Sequence, residues 1–140
     1  MTDYAEKDFE AFRVGDHAEL TKVFTQEDVE LFARLSGDHH PAHLDEAYAR
    51  ASRFGVRVVH GMLTASLLSA ANALLLGTPG AISVEQTLRF LRPVLVGDAI
   101  TARSEVVALL PAQRRLRCRT TCVNQRGELV LAGDALEQKD

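Results

Sequence analysis

Tryptophan is absent from this chain of 140 residues, and cysteine occurs only twice. Two cysteines are too few for a disulfide-rich secreted domain. Cys118 and Cys122 fall in a segment with strand character, where four residues span about 13 Å. That distance is beyond the reach of a disulfide bond. We therefore expect two buried or half-buried free thiols and a reducing compartment.

An excess of charge of either sign is also missing. The formal net charge is -3, from 16 basic and 19 acidic residues, and hydrophobic residues make up 46%. Without a strong overall field, the composition predicts neither nucleic acid nor an anionic membrane as a partner. The balance is typical of a globular protein, and the length is that of one domain.

No hydrophobic run is long enough to span a bilayer. The most apolar stretch, residues 62–76, is too short and contains Ser66, Ser69 and Asn72. The first residues have no basic segment followed by an apolar one, so they do not predict a secretory signal. We expect a cytoplasmic protein.

Helical patterns in the first half of the chain give way to strand patterns in the second. Thr25 opens a capping-box-like start, and Gly37 is expected to end that helix. Residues 62–76 have almost no polar face, which is typical of a buried helix. Four later segments alternate and are rich in β-branched residues, as strands are: 82–91, 99–109, 114–123 and 128–137.

These elements predict an α+β fold in a single domain, residues 1–140, with residues 1–13 as an N-terminal tail. Four antiparallel strands must cover an apolar surface, and helix 62–76 is the candidate for it. A curled antiparallel sheet wrapped around a long central helix is the hotdog architecture. Such a sheet leaves an open edge and an exposed helix flank, so we expect a homodimer.

The segment SGDHHPAHLD, residues 36–45, gathers three histidines and two aspartates on one short loop. A metal site, a proton-transfer site and a solvated turn are the three interpretations. The spacing matches no strong zinc motif, so we predict no metal. By itself Asp38 is typical of a turn after Gly37, and His39 of an exposed position.

Three motifs follow one another between residues 15 and 137. They are Ser36-Gly37-Asp38-x-x-Pro41-x-His43-x-Asp45, Val59-His60-Gly61-Met62 before the apolar helix, and Gln86-x-Leu88-x-Phe90-x-x-Pro93-Val94 with Gly97-Asp98. In this order they resemble the MaoC-like (R)-specific enoyl-CoA hydratases and dehydratases. The resemblance implies a hydro-lyase that adds water to a 2-enoyl thioester, or removes it from an (R)-3-hydroxyacyl thioester.

The resemblance also implies roles for individual residues. Asp38 and His43 are the catalytic pair that activates water. The backbone amide of Gly61 is the oxyanion donor, at a helix start where amide groups lack partners. Ser69 faces the interior from the helix and forms a hydrogen bond near the aspartate.

Two other histidines are left with open roles. His60 is expected to cap or orient the helix start rather than to react. His40 stands where the family usually has Asn, which can tie a loop through local hydrogen bonds. We expect His40 to structure the loop, with contact to the substrate as the alternative. Ala42 and Arg57 also depart from the family pattern, which usually has a larger aliphatic residue and often a proline there.

No cofactor is expected, because the acyl substrate carries its own coenzyme A or acyl-carrier pantetheine. An acyl carrier protein is therefore an alternative partner. Arg115, Arg117 and Arg119 share one strand face, which is either solvated or a landing site for phosphates. Two other functions stay open: a hotdog acyl-thioesterase, and a non-catalytic acyl-binding or scaffold protein.

Overall fold

The computed structural model describes residues 3–140, in which one long helix lies against an antiparallel sheet. The helices are α1 Gln26–Ser36, α2 Pro41–Leu44, α3 Glu46–Ala51 and α4 Gly61–Leu76. The strands are β1 His17–Val23, β2 Ala81–Gln86, β3 Arg89–Phe90, β4 Ala99–Leu110, β5 Arg115–Val123 and β6 Leu129–Lys139. Short 3-10 turns occur at Phe9–Ala11 and Pro111–Gln113.

The sheet has the strand order β1-β4-β5-β6-β2, and the short β3 pairs with β6. Buried and less buried residues alternate along β4 and β5, as expected for strands with one face on the core. Cys118 and Cys122 lie on the buried face of β5 as free thiols, and burial raises their pKa values to about 11 and about 12. The expectation of two unpaired, buried cysteines is confirmed.

Helix α4 supplies the surface that the sheet covers. Leu68 and Ala71 pack in one core cluster with Ile100 of β4, with Phe24 just after β1 and with other apolar residues. A second cluster surrounds the last turn of α4. This arrangement is the hotdog fold, as the sequence predicted. Within residues 3–140, no helix combines the length and the apolar character needed to cross a bilayer.

One flank of α4 departs from the expectation of a helix buried on all sides. Met62, Ser66 and Ser69 are exposed and lie three to four residues apart, which is one face of a helix. The sheet curls around the rest of α4 and leaves this stripe uncovered. The hydrophobic pattern predicted burial of the helix but could not show which side of it the sheet leaves open.

Helix α1 begins and ends where its capping residues predict. Thr25 Oγ1 accepts a hydrogen bond from Asp28 N at 3.2 Å, and Thr25 N donates to Asp28 Oδ2 at 2.9 Å. Gly37 ends the helix in the left-handed conformation, with φ of 83°. A glycine adopts this conformation at little cost, and it turns the chain sharply into the loop that follows.

The strand expected over residues 82–91 is broken in two. The register shifts between Ser83 and Glu85, and Thr87 crosses over Gly133 of β6. A β-carbon at Gly133 would collide with the Thr87 carbonyl oxygen. The glycine permits this close backbone approach, and the crossing separates the β2 part of the pairing with β6 from the β3 part.

The N-terminal segment packs against the body of the fold. Phe9 and Phe12 are 6% and 1% exposed and belong to the core cluster at the end of α4. The chain before them pairs with Thr78, which donates to Ala5 O and accepts from Lys7 N. Of the tail expected over residues 1–13, residues 1–2 lie outside the described part. The remainder is bound to the domain.

Candidate active site

The loop after α1 is organised by its own polar groups. Asp38 N donates to Ser36 Oγ, and Asp38 Oδ1 accepts from His40 N, both at 3.2 Å. His40 Nδ1 then accepts from Ala42 N at 3.1 Å and so caps the short helix α2. His40 therefore occupies the loop-structuring position, using an imidazole nitrogen where an asparagine would use its side-chain oxygen.

His43 is oriented by the backbone carbonyl group of a residue that lies far from it in the sequence. Its Nδ1 lies 2.7 Å from Val58 O. A carbonyl oxygen can only accept, so Nδ1 carries the hydrogen, and Nε2 of the neutral ring has a free lone pair. This nitrogen lies 3.9 Å from Asp38 Oδ2, too far for a direct hydrogen bond. Both atoms are acceptors, so a single water can donate one hydrogen to each.

His60 contacts both Asp38 and His43. It is 2% exposed, and its Nε2 donates to Asp38 O at 3.0 Å. Its ring stacks on His43 with centroids 3.8 Å apart and contacts Phe32 at 4.7 Å. Nδ1 of His60 is buried and has no hydrogen-bond partner among residues 3–140. Burial lowers the pKa of His60, which keeps the ring neutral.

The same three side chains also lie close enough together to be considered as ligands of one metal ion. One candidate ligand atom from each of Asp38, His43 and His60 lies within 4.8 Å of the others. Imidazole lone pairs lie in the ring plane, and the two rings are stacked at an interplanar angle of 26°. One ion about 2.1 Å from both nitrogens would have to lie in both planes. These residues therefore fit a proton-transfer pair better than a metal centre.

Gly61 opens α4 beside a cavity of about 280 Å³. In the described part of the chain no side chain caps this helix start, so its first amide groups can bind a ligand. The Phe90 ring covers Gly61, and a β-carbon there would lie 2.9 Å from Phe90 Cε1. Phe54, Val58 and Pro93 add apolar lining, and the cavity also contacts the exposed Arg53 and Arg92.

Ser69 is not where the sequence placed it. Its side chain is exposed on the open flank of α4 instead of facing the interior. It also lies about 12 Å along the helix from Gly61, since each residue of helix rises about 1.5 Å. Within one chain, Ser69 is therefore not brought to Asp38. The residues around Ser69 in the sequence are mostly apolar, so the sequence pattern predicted burial on every side of this turn of the helix.

The arginine stripe on β5 lies away from the site. Arg115, Arg117 and Arg119 alternate with the buried residues of this strand and so occupy the outer face of the sheet. The arginines that line the cavity at Gly61 are Arg53 and Arg92. Arg53 carries no motif signal in the sequence, because it reaches the site through the turn after α3.

The family was identified by comparison with known proteins. Residues 9–128 match the family model described as the MaoC-like domain. The chain therefore belongs to the MaoC-like dehydratase family, as the three motifs predicted.

Several similar proteins are named as hydratases or dehydratases. An (R)-specific enoyl-CoA hydratase from Rhodospirillum rubrum is 42% identical over 127 residues, covering 91% of this chain and 88% of that protein. A 3-hydroxybutyryl-CoA dehydratase from Methylorubrum extorquens is 42% identical, with coverage of 91% and 81%. The solved structure of an (R)-hydratase from A. caviae involved in PHA biosynthesis has a TM-score of 0.90 at 39% identity, covering 94% of this chain and 99% of that one.

Proposed function

We propose that this chain is a hydro-lyase that interconverts a 2-enoyl thioester and the corresponding (R)-3-hydroxyacyl thioester. The observation that carries the proposal is the pair of acceptor atoms, Asp38 Oδ2 and His43 Nε2, held 3.9 Å apart. The names of the relatives support the reaction class and its stereochemistry. The reaction needs no cofactor, because water and the thioester supply every atom.

The pair acts through one water in this mechanism. The water donates its hydrogens to Asp38 Oδ2 and His43 Nε2, which leaves an oxygen lone pair directed at C3 of the enoyl group. As the new C3–O bond forms, one O–H bond breaks and its proton passes to the pair. The pair then returns that proton to C2, so that the elements of one water are added. Dehydration follows the same steps in reverse.

Negative charge develops on the thioester oxygen during this addition. The free amide of Gly61, at the start of α4, is the proposed donor to that oxygen, and the helix dipole adds to the stabilisation. His60 does not contact the substrate in this scheme. It holds the Asp38 carbonyl and packs against His43, so it acts as a positioning residue.

We assign the pantetheine arm of the substrate to the cavity beside Gly61. Its apolar lining by Phe54, Phe90 and Pro93 suits the pantetheine arm, which coenzyme A and an acyl carrier protein share. Arg53 and Arg92 offer guanidinium groups to phosphates. Both are exposed, and only Arg92 has an ion-pair partner among the described residues, Glu128 at 3.5 Å.

A homodimer is part of the proposal. Strand β2 ends the sheet with an unpaired edge, and Ile82 and Val84 on it are 64% and 40% exposed. Met62 on the open flank of α4 is 58% exposed. A second copy that pairs at β2 would cover this edge and the helix flank together.

The proposal is tested by following crotonyl-CoA hydration as loss of enoyl absorbance. We expect turnover by the wild type and a fall of at least about 100-fold in kcat/KM for Asp38→Asn and for His43→Ala. His39→Ala is the matched control, because His39 lies in the same loop and is exposed. It is expected to keep wild-type activity.

Other outcomes would change the assignment. Release of free thiol instead of loss of enoyl absorbance would show a thioesterase. Wild-type activity in both Asp38→Asn and His43→Ala would exclude the proposed pair. If the enzyme turned over a thioester bound to an acyl carrier protein but not the coenzyme A thioester, the carrier protein would be assigned as the natural carrier of the acyl group.

A further inference from the structure

His40 is hydrogen-bonded to both halves of the loop that carries the proposed catalytic pair. Its backbone N donates to Asp38 Oδ1 at 3.2 Å, and its ring Nδ1 accepts from Ala42 N at 3.1 Å. Its carbonyl oxygen accepts from His43 N at 3.0 Å. One residue therefore contacts Asp38 on one side and, on the other side, the helix that carries His43.

Helix α2 depends on this contact because it is very short. It has four residues, Pro41–Leu44, and its first residue is a proline, which has no amide hydrogen. Short helices are marginal in water, because few hydrogen bonds offset the cost of ordering the chain. The ring of His40 supplies an acceptor for Ala42 N, one of the amide groups that a helix start leaves unpaired. Loss of this cap should therefore free His43 to leave its position.

The cap forms only while the His40 ring is neutral. A backbone amide can only donate, so Nδ1 must keep a free lone pair, and the ring hydrogen is on Nε2. Protonation places a hydrogen on Nδ1 as well, and two donors then face each other. Histidine is the side chain that changes charge between pH 5 and 8. His40 is exposed to the solvent that supplies the proton.

Two other hydrogen bonds that hold His43 do not change in this pH range. Gln26 Nε2 donates to His43 O at 3.1 Å, and neither group titrates. His43 Nδ1 donates to Val58 O, and it keeps its hydrogen whether the ring is neutral or charged. Among these contacts, the cap at His40 is therefore the one that acid removes.

The titratable groups around His40 are Asp38 and His39 on the loop, His43 of α2 and Tyr48 of α3. The ring centroids of His43 and Tyr48 lie 6.1 and 5.9 Å from that of His40. A phenol stays neutral below pH 8. A charged His40 ring would keep Asp38 ionised and hinder protonation of His43, and both effects favour activity in acid. Loss of the cap and this electrostatic effect therefore change activity in opposite directions.

We propose that His40 is a positioning residue, and that it makes the pair of Asp38 and His43 active only while its own ring is neutral. Protonation removes the cap at Ala42, α2 loosens, and His43 Nε2 leaves its position 3.9 Å from Asp38 Oδ2. The inference rests on the proposed function, because this pair must be the catalytic one. An asparagine at position 40 would offer an acceptor oxygen that does not titrate.

The test compares kcat for crotonyl-CoA hydration by the wild type and by His40→Asn between pH 5.5 and 8, since asparagine can cap α2 at every pH. The ratio of wild-type to variant kcat should be constant from pH 7.5 to 8 and fall about 5-fold or more by pH 5.5. KM should change little, because the cavity at Gly61 is not part of the cap. A constant ratio, or one that rises in acid, would overturn the inference.

Two further variants assign the effect to the cap. His40→Ala has no acceptor at any pH, so at pH 8 its kcat should be about 5-fold or more below that of His40→Asn. Equal kcat for these two variants would overturn the role of the cap. His39→Asn is the matched control, because it removes an exposed ring from the same loop. It should follow the wild-type pH profile, and a profile like that of His40→Asn would overturn the assignment to His40.

Nuclear magnetic resonance separates this inference from the proposed reaction. The amide signal of Ala42 and the ring nitrogens of His40 are followed over the same pH range in isotope-labelled protein without substrate. The Ala42 amide should lose its hydrogen-bonded shift as His40 gains a proton, and should keep it in His40→Asn. This result without turnover of crotonyl-CoA would overturn the reaction and leave the acid-sensitive cap. An Ala42 amide that stays hydrogen-bonded when His40 is charged would overturn the inference, even in an active enzyme.

Discussion

Three histidines at the site each use one ring nitrogen for a backbone group, and the other nitrogen decides what the residue can do. His43 donates from Nδ1 and keeps Nε2 for the proposed water, whereas His40 accepts at Nδ1 and caps α2. His60 donates from Nε2, and its buried Nδ1 has no hydrogen-bond partner within the described residues. The motif could predict that these residues lie together. Their protonation patterns depend on Val58 and Asp38 carbonyls, whose positions only the fold provides.

The buried ring of His60 should make stability depend on pH. Its pKa is lowered on folding, so the neutral ring stabilises the fold fully above its unfolded pKa of about 6.5. This contribution is lost as pH falls through 6.5 towards the folded pKa, because the unfolded chain then binds more protons. We expect the free energy of unfolding, measured by urea titration, to decrease between pH 7.5 and 5.5. That decrease should be smaller in His60→Phe.

His39→Phe is the matched control for this measurement, since His39 is exposed in the same loop. It should leave the pH dependence as in the wild type. An identical slope in wild type and His60→Phe would contradict the assignment of the effect to His60. Replacing the ring also removes one hydrogen bond, so His60→Phe is expected to lose about 1 kcal/mol at pH 7.5.

Among the helices and strands, those with local signals were the predictable ones. The Thr25 capping box and Gly37 gave the bounds of α1, and alternation gave β4, β5 and β6. The interruption between β2 and β3 was not predictable, because it depends on Thr87 meeting Gly133 across the sheet. The placement of Ser69 failed for a similar reason, since helical periodicity does not show which flank the sheet leaves open.

Gly77 joins α4 to the N-terminal segment and provides a test of that contact. Its φ of 61° and ψ of -150° lie in a region that is essentially restricted to glycine. A β-carbon there would also collide with the Ala5 carbonyl oxygen. Gly77→Ala is therefore expected to lose about 3 kcal/mol or more of unfolding free energy in chemical denaturation.

Gly127→Ala separates the cost of the backbone conformation from the cost of the steric collision. Gly127 also has a positive φ, 75°, but a β-carbon at this position would meet open space. Gly127→Ala should therefore lose only the unfolding free energy that comes from the unfavourable backbone conformation, about 1 kcal/mol. Equal losses for the two variants would mean that the N-terminal segment moves aside freely and adds no stability.

At the scale of the whole molecule, β2 and the flank of α4 together carry three exposed apolar side chains, Met62, Ile82 and Val84. From the sequence, only the presence of an open sheet edge and an exposed helix flank could be predicted. Which residues are exposed followed from the path of the sheet. The same surface includes Met62, so a second copy that pairs at β2 would also cover the flank of α4.

Ile82→Lys is expected to weaken the homodimer, because it places a charge on the edge strand that a second copy would pair with. Multi-angle light scattering over a dilution series should show a shift towards the monomer mass. Val14→Lys is the matched control, since Val14 and Ile82 are both 64% exposed and Val14 lies in the turn before β1. A wild-type mass that is monomeric at all concentrations would reject the dimer.

One helix, α4, faces two different environments. Leu68 and Ala71 lie in the core, where a change of side-chain volume costs stability, whereas Met62 and Ser66 lie on the open flank. Substitutions on the open flank leave the core packing unchanged, so this surface can change its polarity without altering the fold. The first turn of α4 at Gly61 is then kept in place by the core side of the same helix.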